Sequence, residues 1–127
     1  MKIALVAVAT VLQLLPFCNA YAHGDHKPKH GGIMGRGDDE ISVELVMEKG
    51  TAMLYIEDDA GTPVPTEKVK GTLSVVSPGR PAQAAKLIPV GENKFSAQGL
   101  TPVPGDRLRA SIILPSGEEF SSIFSFR

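Results

Sequence analysis

The chain has 127 residues, with 13 Lys or Arg against 14 Asp or Glu, and its formal net charge is −1. That balance gives no reason to expect nucleic acid or an acidic membrane surface as a partner. A single cysteine, Cys18, leaves no disulfide within the chain, and the length suits one domain held by packing alone.

Met1-Lys2 opens a run from Ile3 to Phe17 that carries no charge. A bilayer-spanning helix needs about 20 apolar residues, and this run is shorter and interrupted by Pro16. Ala20 and Ala22 bracket Tyr21 in the small-large-small pattern that signal peptidase accepts, so residues 1–22 are expected to be a cleaved secretory signal. His23 would then begin the mature chain, and a cut after Ala20 is the alternative. Phe17 stands where a lipobox requires a small residue before its cysteine, which argues against lipidation of Cys18. Loss of residues 1–22 removes Cys18 and Lys2 and leaves 105 residues, 12 basic against 14 acidic.

Residues 23–40 follow, with all three histidines (His23, His26 and His30) and the glycine-rich piece Gly31-Gly32-Ile33-Met34-Gly35-Arg36-Gly37. No Gly-Lys-Ser/Thr is present to make this a phosphate loop. Pro28 and the glycines oppose a helix, and the segment is expected to be a flexible tether.

From residue 41 to 127 the pattern is that of strands. Ile41, Val43, Leu45 and Met47 alternate with Ser42, Glu44, Val46 and Glu48, predicting one apolar and one mostly wet face. Lys49-Gly50 then turns the chain into Ala52 to Glu57, and Asp58-Asp59-Ala60-Gly61 closes what should be a hairpin. A weak repeat relates Thr62-Pro63-Val64-Pro65 through Leu73 to Thr101-Pro102-Val103-Pro104 through Ile112. In each copy a Pro-x-Pro lead feeds a strand with basic residues on one face and apolar ones on the other. Ala82 to Val90 reads as a weak edge strand, and the last strand sets Phe120, Ser122, Phe124 and Phe126 on one side. Short strands between regular turns, with no helical stripe, predict an antiparallel immunoglobulin-like β-sandwich.

Chemistry gathers in the tether. Imidazole nitrogen suits copper, zinc and nickel, with divalent copper held most tightly in the usual order. If His23 is the mature N-terminus, its α-amino nitrogen and ring Nδ1 can chelate one ion, with His26 or His30 adding a third nitrogen. If the cut falls after Ala20, Tyr21-Ala22-His23 offers an amine, two amides and an imidazole to a square-planar ion. Met34 adds a thioether within the tether, whereas Met47 belongs to the apolar side of its strand. The expected metal ligands are therefore His23, His26, His30 and Met34, set against the plainer reading of a solvated polar terminus. Asp38-Asp39-Glu40 and Asp58-Asp59 lack the spacing of a calcium loop. No nucleophile elbow is present, and histidines confined to a tether make a poor base, so an enzyme is not expected.

The start ending His30-Gly31-Gly32, then Val43-Glu44-Leu45-Val46, Leu54-Tyr55-Ile56-Glu57-Asp58 and Gly61-Thr62-Pro63-Val64, resembles small bacterial periplasmic proteins that accompany heavy-metal efflux systems for copper or cobalt-zinc-cadmium. The resemblance implies a β-sandwich in the periplasm, a role in metal handling, and an adaptor or transporter as partner. Secreted copper-resistance sandwiches are similar in plan, but only His23 carries over, because residues 41–127 contain no histidine to match their further ligands. The competing expectation is a non-catalytic interaction module that docks on an efflux or envelope partner through its sheet edges, with the histidines incidental.

Overall fold

A computed structural model describes residues 27–37 and 40–127. The expected signal peptide, His23 and His26 lie outside the described residues. Among the described residues there are ten strands and no helix. They are β1 (Ile33–Met34), β2 (Arg36–Gly37), β3 (Ile41–Glu48), β4 (Thr51–Asp58), β5 (Lys70–Val76), β6 (Gln83–Lys86), β7 (Ile88–Pro89), β8 (Lys94–Gln98), β9 (Arg107–Ile113) and β10 (Glu119–Ser125).

These strands form two five-stranded sheets, ordered β1-β3-β4-β8-β7 and β2-β10-β9-β5-β6. We call them the first and second sheet. Every pairing is antiparallel. The alternation read from sequence places the core. Val43, Leu45, Leu54, Ile56 and Phe95 of the first sheet share one buried cluster with Leu73, Val75, Leu108, Ile112 and Phe124 of the second. With no disulfide to help, that cluster carries the stability, and truncating a buried ring such as Phe124 costs about 3–5 kcal/mol.

The expected hairpin is β3–β4, closed by Lys49-Gly50 with Glu48 opposite Thr51. Met47 packs against the core from its partly buried position. The two copies of the repeat lead into neighbours: β5 and β9 pair directly, with Leu73 opposite Ala110 and Val75 opposite Leu108. Their basic residues Lys70, Arg107 and Arg109 are exposed, as the pattern predicts. The stretch from Ala82 to Val90 supplies an edge to each sheet. It divides at Leu87, whose buried side chain separates β6 on the second sheet from β7 on the first.

The tether expected over residues 23–40 is strand in part. β1 adds to the edge of the first sheet against β3, and β2 adds to the second against β10. Gly35 makes the crossing between them. Its N–H donates to the Val43 carbonyl at 2.9 Å, and any side chain here would run into Ser122 Oγ and the Phe124 ring. Glycine is thus required by close approach rather than by mobility. Free edge backbone on β3 and β10 is what orders these residues, since an unpaired ladder seeks partners.

Candidate functional site

The ordered segment 29–32 lies over the outward face of the first sheet, and one carboxylate holds it there. Glu44 points outward from β3, yet it is only 4% exposed. Its oxygens accept hydrogen bonds from the backbone N–H groups of Lys29 (3.0 Å), His30 (2.9 Å) and Gly32 (2.9 Å), and from His30 Nδ1 at 2.9 Å. The mostly wet face expected for β3 is corrected here: Glu44 is covered by its own upstream chain.

His30-Gly31-Gly32 has the local properties this requires. Gly31 takes φ +71°, which turns successive N–H groups toward one point, the concave arrangement that receives anions. Gly32 passes so close to the Leu45 carbonyl and Val46 that a side chain would not fit. Lys29 adds an ion pair from Nζ to Glu57 at 3.0 Å. This pair is solvent-washed and contributes little.

Burial by itself would raise the Glu44 pKa. The His30 side chain and the N–H groups of Gly32, His30 and Lys29 outweigh that and hold the carboxyl below its usual range. An ionised carboxylate only accepts, so the proton of a neutral His30 ring belongs on Nδ1 and Nε2 keeps its lone pair. The ring is also fixed in plane. It stacks on Tyr55 with centroids 3.6 Å apart and planes 8° from parallel, and Lys94 Nζ sits 5.6 Å from the Tyr55 centroid. Met34, Glu44, Tyr55 and Lys94 are cross-strand neighbours in register on β1, β3, β4 and β8.

A magnitude decides how firmly the segment is held. Four hydrogen bonds to a charged group contribute about 6–12 kcal/mol by the usual range, while ordering four backbone residues costs about 4–8 kcal/mol. The margin is a few kcal/mol. The segment is docked, but it can be released without unfolding the body.

Of the expected ligands, His30 is placed with its ring held between Glu44 and Tyr55 and its side chain 40% exposed. Met34 is half-buried in β1, opposite Glu44. Among the described residues no three His, Cys, Asp or Glu side chains are placed together as a metal site. His30 can therefore act as one oriented ligand, with other donors coming from elsewhere. Sequence reasoning missed Glu44, Tyr55, Glu57 and Lys94. Glu44, Tyr55 and Glu57 stand in the short stretches that carried the resemblance, which was the available signal. No family model, curated protein or solved structure compared with the chain matches it.

Proposed function

We propose that this protein is a non-enzymatic periplasmic metal-handling protein that binds copper, or zinc or nickel, through His30 with His26 and His23, on behalf of a heavy-metal efflux or resistance system. A single observation carries the reading: His30 gives Nδ1 to a buried carboxylate at 2.9 Å while its side chain stays 40% exposed. Metal-binding histidines characteristically use this arrangement, in which an outer carboxylate fixes the tautomer and ring and strengthens the nitrogen that ligates. His26 is four residues upstream, within chain reach of the same ion. Export would expose the His23 amine as a further donor. The two sheets with one shared core fit an immunoglobulin-like sandwich as the carrier of this site.

Titration of the naturally processed protein with Cu(II), Zn(II) and Ni(II), followed by absorbance and by calorimetry, tests it. Uptake of one ion that is lost in His30→Ala, and weakened in His23→Ala/His26→Ala, is the expected result. Equal uptake by the wild type and His30→Ala would overturn the reading.

A further inference from the structure

The near-neutral net charge hides a separation of charge in space. Arg36, Lys70, Lys86, Arg107, Arg109 and Arg127 are all exposed, and four of the chain's five arginines are among them. The five that lie on strands belong to the second sheet. Among the described residues, Glu119 is the only carboxylate on the outward positions of that sheet's strands. None of the six cations forms an ion pair among the described residues.

The register shows how they are spread. Arg36 is opposite Ile123, Ile123 is opposite Arg109, Arg107 faces Val76 and Ile113 faces Lys70. From β2 to β6 the array crosses five strands, about 20 Å at the usual spacing, so it is a plane of charge and not a line. Val76 (56% exposed), Ile123 (46%) and Ile113 (38%) stand between the cations. At one corner Arg36, Arg127 and Ser125 border a cleft of about 470 Å³ with Ile33, Met34 and Ile123 as its apolar lining.

We propose that the outward face of the second sheet docks on a membrane surface rich in anionic phospholipid. The guanidinium and ammonium groups meet phosphates, Ile123, Val76 and Ile113 reach the headgroup boundary, and the corner cleft receives one phosphodiester between Arg36 and Arg127. Arginine suits that ligand because its planar fork matches phosphate oxygens in pairs. A linear acidic segment would satisfy one row of this array, whereas a charged plane satisfies all of it, and the apolar side chains of Ile123, Val76 and Ile113 between the cations suit an interface with an oily layer beneath. This reading is independent of metal binding. Docking in this way leaves the opposite sheet, with His30, turned toward water.

Co-sedimentation of the protein recovered after export, with vesicles of phosphatidylcholine alone and of phosphatidylcholine and phosphatidylglycerol in equal parts, tests the proposal. Binding to the anionic vesicles alone, falling as salt is raised, is expected. Each cation contributes about fivefold in affinity, so Arg107→Gln/Arg109→Gln should bind about 25-fold more weakly. Lys49→Gln, in the β3–β4 turn of the other sheet, should bind as the wild type does. Urea midpoints confirm that the variants fold, and Lys70→Gln/Lys86→Gln gives a second pair should the arginine pair be unstable. Equal binding to both vesicle types, equal binding by all variants, or a self-association without lipid that the arginine pair abolishes would each overturn the proposal.

Discussion

Two buried carboxylates, Glu44 on the first sheet and Asp106 at the entry to the second, each organise a clasp, and the contrast between them isolates what makes one a candidate site. Asp106 precedes β9, is 3% exposed, and accepts from Val103 N at 2.8 Å and from Arg80 Nη2 at 2.7 Å, which also donates to Ser77 Oγ. The Val103 N–H is the largest influence on its pKa, and Ser77 and Arg80 add to it against the opposing effect of burial, so the carboxyl sits below its usual range. Glu44 is likewise surrounded by N–H groups and likewise lowered. The partners differ. Arg80 has only protons to give and its charge is spent within the clasp, whereas His30 gives one nitrogen inward and keeps a lone pair on the other. A carboxylate paired with arginine closes a loop. A carboxylate paired with histidine orients a ligand.

Removing each carboxylate should therefore have unequal consequences. Asp106→Ala strips the acceptor from both the Val103 N–H and the Arg80 guanidinium at the entry to a central strand, and the urea midpoint should fall clearly. Glu44→Ala frees a segment that water can solvate, and global stability should drop by no more than the docking margin of a few kcal/mol in the same assay. A reversed order of midpoints would mean that the docked segment carries the fold and Asp106 does not. For the metal uptake proposed above the ranking should invert. Glu44→Gln should weaken uptake about 10–100-fold by calorimetry, the usual cost of losing an outer carboxylate, and Asp106→Asn should leave it unchanged.

Acid should separate the two clasps as well. Both carboxyls have folded-state pKa values below their ordinary ones, so each contributes stability that is fully present above the ordinary value. That contribution is lost as pH falls through the lower folded value. For Glu44 the loss begins below the ordinary 4.5, and for Asp106 below 3.8. Protection of the His30 and Gly32 amides, relative to intrinsic exchange at each pH, should therefore begin to fall at a higher pH than protection of Val103. Simultaneous release of all three would couple the two sites and undo the contrast.

What was legible in the sequence follows the same division. Period-two alternation located β3, β4 and β10 with their inward faces, because burial of Val43, Leu54 or Phe124 requires only that one side of a strand be apolar. The repeat marked β5 and β9, whose pairing then follows from equal patterns on adjacent strands. Alternation reports which way Glu44 points, but not what lies above it. The cover comes from residues 29–32, more than ten positions away in sequence, through glycines that in composition read as a flexible linker. The same blindness applies to Arg36, Arg107 and Arg127, distant in sequence and gathered only by the sheet.

The smallest expected effect concerns the stack. Tyr55 lies parallel to His30 at van der Waals distance and forms no hydrogen bond through its hydroxyl among the described contacts, so its ring, not its oxygen, holds the imidazole. Tyr55→Phe should keep both the docked segment and the metal affinity, while Tyr55→Ala should loosen the segment by about 1 kcal/mol, near the usual value of an aromatic pair. Hydrogen exchange at the His30 amide reads this in both variants. Loss of protection in Tyr55→Phe would assign the hydroxyl a role, whereas unchanged protection in Tyr55→Ala would leave Glu44 alone as the element that orients His30.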